Sequence, residues 1–160
     1  MTSDTPLAPP PPAEHPRPAG RATFGRVLVP LDGTPLAERA IPFAEAIAEA
    51  TGARLVLLRV VAKGDRHSGR PALAAAGDYL EAIAGRLRGR GLLLATTVRR
   101  GERADAIVAE VRRRAIDLVV IVTHGRGLLG RGAGGSVAEW LLEHLTVPIL
   151  LVRAWHDEDA

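Results

Sequence analysis

Cysteine is absent from this chain, which excludes disulfides, thiolate metal sites and thiol catalysis. Aromatic residues make up only 3%, so alanine, valine, leucine and isoleucine have to build the core. Lysine occurs once, at Lys63, and arginine carries nearly all the positive charge. No apolar run approaches the roughly 18 residues of a membrane helix, and the N-terminus lacks the apolar stretch of a secretory signal. An excess of one charge sign is also lacking: the net charge of +3 on 160 residues gives little reason to expect a nucleic-acid partner. Together these absences lead us to expect a cytoplasmic protein with no membrane contact.

What is present is an apolar content of 47%, enough for one domain with its own core. Residues 1–23 are proline-rich with almost no large apolar side chains, and read as a disordered arm. Residues 24–153 carry the periodic pattern of a folded domain, and 154–160 read as a frayed acidic tail.

Within the domain two periodicities alternate. Apolar runs at 26–31 (RVLVPL), 54–61 (RLVLLRVV), 92–98 (LLLATTV), 117–123 (DLVVIVT) and 147–153 (VPILLVR) suit strands buried on both faces. Between them, helical spacing predicts one helix from Thr34-Pro35 to Thr51-Gly52 and a second marked by Leu73, Ala76, Leu80, Ile83 and Leu87. It predicts a third through Ala104, Ile107, Val108, Val111 and Ala115, and a last one over Ser136 to Leu145. The arginines at 86, 88, 90, 99, 100 and 112–114 fall outside the apolar stripes and read as solvated faces. Five strands alternating with helices specify an α/β fold, an open five-stranded parallel sheet with helices on both faces. Ligands of such sheets bind beyond the carboxyl ends of the strands. The informative segments are therefore Pro30 to Thr34, Val60 to Lys63, Arg99 to Arg103 and His124 to Ser136.

The last of these is unusual, with six glycines between Gly125 and Gly135. Gly125, Gly127 and Gly130 satisfy G-x-G-x-x-G, but after the fourth strand rather than the first, with no ribose-binding acid following. Gly130 to Ser136 resembles a phosphate loop without its lysine, and so without the clamp of P-loop chemistry. A more general property remains. Glycines let backbone amides turn toward an anion, and the loop feeds a helix N-terminus that favours phosphate. Arg126 and Arg131 add positive charge there. Ser136 opens a capping box with Glu139, and its hydroxyl can cap the helix, contact phosphate, or do both.

The segments VLVPLDG, LVLLRVV and HGRGLLGRGAGGSVAEWLLEHLTVPILLVR together resemble the universal stress protein family over roughly residues 24–153. The most specific feature is Gly125 followed after nine residues by Gly135-Ser136. It matches the family's nucleotide motif, except that Val122 stands at the motif's first glycine. The resemblance implies a Rossmann-like fold of the adenine nucleotide alpha hydrolase-like type. It also implies an ATP-type ligand, with Mg2+ or Mn2+ carried on the phosphates and no metal held by side chains alone.

By position, Asp32, following Pro30 and Leu31, corresponds to an acid that contacts adenosine, and Val60 to a residue lining the adenine pocket. Thr123, His124, Gly125, Arg126 and Gly127 would lie along the ribose and phosphates, and Gly135, Ser136 and Val137 would hold the phosphates. For His124, orienting the loop is the simpler role. The family also dimerises through its last strand, so a homodimer through residues 148–153 is expected.

No nucleophile–base pair and no carboxylate cluster at metal-ligand spacing stands out. The expected function is thus a nucleotide-binding sensor in a stress response, without enzymatic activity beyond slow, incidental ATP hydrolysis and with an unidentified protein partner. Two alternatives stand beside it. One is a dimeric interaction protein with the same fold and no nucleotide, favoured by Val122. The other is an adenylating or pyrophosphatase-type enzyme, for which Lys63 alone is thin support.

Overall fold

The computed structural model describes residues 23–63, 69–124 and 137–154. Of the expected arm and tail, only Thr23 and Ala154 fall among them. Five strands are present: β1 (Arg26–Leu31), β2 (Arg54–Val61), β3 (Leu94–Arg100), β4 (Leu118–His124) and β5 (Ile149–Ala154). They form one parallel sheet in the order β3-β2-β1-β4-β5. Every carboxyl end lies on the same edge, and the chain changes direction across the sheet between β1 and β4. The helices are α1 (Pro35–Glu38), α2 (Ile41–Thr51), α3 (Arg70–Arg88), α4 (Arg103–Arg113) and α5 (Val137–His144).

The continuous apolar runs are explained by burial on both faces. Val27, Val29 and Leu31 of β1 pack with Leu55 and Leu57 of β2 against Ala44 of α2 and Leu80 and Ile83 of α3. The alternate residues Leu28, Val56, Leu58 and Val60 pack against Ile107 and Val111 of α4 and Leu141 of α5. Small alanines at Ala40, Ala44, Ala48 and Ala84 let helices approach the sheet closely, which compensates for the scarcity of aromatic rings. The open ends of β1 and β4 are tied together by Asp117, whose carboxylate accepts from the amides of Gly25 at 2.8 Å and Arg26 at 3.1 Å.

Several local expectations are corrected. The single helix expected from Thr34 to Thr51 is two, because Pro42 has no N–H to give the Glu38 carbonyl. The turn at Arg39–Ala40 is closed instead by shorter bonds to Leu36 and Ala37. α2 then ends as read, on Gly52 at φ 73, a left-handed value that glycine adopts without a Cβ penalty. The third strand begins at Leu94 rather than at 92 and runs on through Arg99 and Arg100, which pair with Val60 and Val61. Ala115 lies beyond α4, at φ 48.

The arginines are not a uniform solvated face. Arg99, Arg113 and Arg114 all donate to Glu110, which is only 1% exposed, with the Arg99 bond at 2.8 Å and Arg113 bonds at 3.0 and 3.1 Å. Arg86, Arg88 and Arg90 pair with Glu38, Glu81 and Glu45.

Candidate functional site

At the carboxyl edge of the sheet, β1 passes from buried Pro30 and Leu31 into Asp32, Gly33 and Thr34. Gly33 takes φ +86, which turns the chain sharply away from the sheet. Thr34 then caps α1 by accepting from the Ala37 amide at 3.2 Å. Its amide and hydroxyl both donate to Asp32 Oδ1, at 2.9 and 2.6 Å. A capping threonine thus holds the Asp32 carboxylate in place. Burial pushes the Asp32 pKa up, but the Thr34 bonds and the positive fields of Arg103 and Arg59 outweigh it and hold the carboxyl below its ordinary range.

Beside this turn lies a cleft of about 470 Å³ over the carboxyl ends of β1 and β2. Val60 lines it, with alanines of α3 and Gly33 opposite. Arg59 enters from β2, with its Nη1 3.4 Å from the Val60 carbonyl and its Nη2 3.4 Å from where a Gly33 Cβ would stand. Arg103, the first residue of α4, enters from the other side. Tyr79 of α3 closes one wall, and its hydroxyl donates to Glu38 Oε1 at 3.0 Å. Burial raises the Tyr79 pKa well above the ordinary phenol range, and the Glu38 bond and the charges of Glu38 and Asp32 raise it further.

The structure brings Gly33, next to Asp32, and Val60 to one cleft. Pro30 and Leu31 are buried in the sheet, so only their backbone is available to a ligand. Thr123 pairs in register with Arg153, and His124 with Ala154, at the end of β4. Val137 opens α5 with its partly buried side chain packed against the core. Gly125, Arg126, Gly127, Gly135 and Ser136 lie outside the described residues. Val122 pairs with Val152, and its partly buried side chain packs against the core.

Arg59 and Tyr79 were not picked out from the sequence, and Arg103 only as the end of the strand-end segment from Arg99, without a role. The available signal was position: Arg59 precedes Val60 and Arg103 follows Gly101 at a strand end. Among the described residues no group of three His, Asp or Glu side chains could hold a metal ion, and no helix is long and apolar enough to cross a membrane.

A sequence model of the universal stress protein family matches residues 23–153. One relative, the universal stress protein in the QAH/OAS sulfhydrylase 3′ region of Thermus aquaticus, is 29% identical over 136 residues. The match covers 81% of this chain and 99% of that protein. Among solved structures, the hypothetical protein MJ0577 superposes with a TM-score of 0.73 at 20% identity, covering 85% of this chain and 100% of that one. A universal stress protein in complex with cAMP superposes with a TM-score of 0.66 at 24% identity, covering 82% and 98%. These likenesses show the Rossmann-like, adenine nucleotide alpha hydrolase-like fold.

Proposed function

The chain belongs to the universal stress protein family, and from that premise we propose that it is a small sensor module binding an adenine nucleotide of the ATP type, without catalytic activity of its own. The observation that carries this reading is the cleft over the carboxyl ends of β1 and β2, one strand from the β1/β4 position where the strand order reverses, with Val60 and Gly33, next to Asp32, among its lining. Its apolar wall suits a purine face. Asp32 Oδ1 is committed to Thr34, while Oδ2 accepts no bond from the described residues and is available to a hydroxyl or amino donor. The similar protein solved with cAMP supports an adenine nucleotide as the ligand class. Gly125, Gly135 and Ser136 would hold the phosphates, with Mg2+ or Mn2+ carried there by the ligand. Self-association through β5, which among the described residues is an edge strand paired only with β4, completes the reading.

A second reading, an interaction protein with the same fold and no nucleotide, draws on Val122 at the motif's first glycine. The packing of Val122 against the core weakens it, because part of the branched side chain is taken up there.

The test is a thermal melt of nucleotide-stripped protein with and without Mg-ATP, beside Gly135→Val. Ligand at a hundred times its dissociation constant adds about 2.7 kcal/mol, a rise of roughly 5–10 °C for a domain of this size. A rise lost in the variant is expected. No rise at millimolar ATP overturns the reading in favour of the second.

A further inference from the structure

The cleft beside Asp32 carries more positive charge than a neutral nucleoside calls for. Arg59 and Arg103 both line it, and among the described residues neither guanidinium sits in an ion pair. Each guanidinium offers five N–H donors and no acceptor. Arg59 spends one on the Val60 carbonyl, at a long 3.4 Å. The nearby carboxylate, Asp32, already accepts two bonds from Thr34 through Oδ1. Glu38, the other carboxylate near the wall, accepts from Tyr79 and lies 3.9 Å from Arg86; among the described residues, then, neither nearby carboxylate is paired with the two guanidiniums.

An adenine edge offers an amino donor and single ring-nitrogen acceptors, each of which takes one N–H and leaves the rest of the guanidinium fork unmatched. A ribose hydroxyl accepts only weakly. A phosphate matches the planar fork of an arginine with two parallel bonds. The Gly33 turn keeps the space beside Arg59 open: no side chain projects there, and the guanidinium lies over the glycine backbone.

We propose that Arg59 and Arg103 bind a phosphate on the nucleoside end of the ligand, so that the cleft selects a nucleotide phosphorylated on its ribose as well as at its 5′ position. The proposal rests on the reading that the nucleoside end occupies this cleft. It makes the two arginines specificity determinants that the glycine loop cannot replace.

The experiment compares the affinities of AMP, adenosine 2′,5′-bisphosphate, adenosine 3′,5′-bisphosphate and GMP by calorimetry, on the full chain and on Arg59→Gln and Arg103→Gln. Apo melts confirm that both variants fold. One of the bisphosphates is expected to bind about tenfold tighter than AMP, the size of one or two added charge-assisted bonds. That ratio should fall toward one in both variants, with Arg59→Lys retaining part of it. Bisphosphates no tighter than AMP overturn the inference and leave the adenine-nucleotide reading standing. A ratio unchanged in the variants overturns it as well. GMP gaining as much as the bisphosphates puts the guanidiniums on a base edge and also overturns it. Binding of none of the four overturns the inference, while the nucleotide reading itself stands or falls with the Mg-ATP melt.

Discussion

The hydroxyl of Tyr79 on α3 donates to the Glu38 carboxylate on α1 across 3.0 Å, joining two helices at the wall of the candidate cleft. Tyr79 is the only tyrosine in the chain, so its titration is read without overlap. Burial first, then the Glu38 bond, hold the phenol protonated well past its ordinary value of 10.0. The native phenolate absorbance should therefore rise only in strong alkali. Glu38→Gln should bring the midpoint back toward 10.0. Because the folded pKa is raised, the stabilisation is complete below pH 10 and is lost as pH climbs beyond it. A native midpoint at the ordinary value would contradict the bond.

Asp32 should respond in the opposite direction. Its folded pKa lies below the ordinary 3.8, so its contribution is present above that pH and is lost as pH falls through the lower folded value. Urea midpoints of the wild type and Asp32→Asn, measured from pH 6 downward, should converge below about pH 4. The gap at pH 6 should be small, since the carboxylate is largely solvated and asparagine can still accept from Thr34. A gap that stays constant into acid would show that the charge of Asp32 does not matter to folding.

Glu110 gathers guanidiniums from β3 and from the end of α4. Glu110→Ala removes the shared acceptor and leaves three positive charges crowded together. Arg99, Arg113 and Arg114 keep 34%, 55% and 33% side-chain exposure and can turn toward water. The expected loss is about 1–3 kcal/mol, less than for a fully buried pair. Chemical denaturation measures it, and a loss under half a kcal/mol would mean the cluster is merely solvated surface.

Val122→Gly restores the glycine of the family's motif, yet Val122 packs, partly buried, against the core. The variant should lose about 2 kcal/mol, from lost burial and from glycine in a strand interior. Nucleotide affinity should not change. A gain in affinity would show that the branched side chain obstructs the site after all.

The parts of the fold legible in the sequence are those set by local pattern. A strand buried on both faces has to be apolar at every position, so RVLVPL and RLVLLRVV announce β1 and β2 over the bounds observed. The stripe from Ala76 to Leu87 likewise marks α3, because a helix on a sheet buries one face. The strand-end segment from Val60 to Lys63 was legible as a place to look because ligands of parallel sheets bind at strand ends, while a pocket role for Val60 itself came from the family resemblance. The break at Arg39–Ala40 was legible in principle from Pro42, but the alanine-rich periodicity on either side concealed it.

Tertiary structure alone decided which charged groups meet. No short-range pattern relates Arg59 or Arg103 to Asp32, or Arg99 to Glu110, since these pairs lie on elements that only the sheet order brings together. Local propensity acts over a few residues, and here it sufficed to assign strands and helices. Which charges converge at one edge depends on how the elements pack, and that is settled by burying both faces of the whole sheet at once.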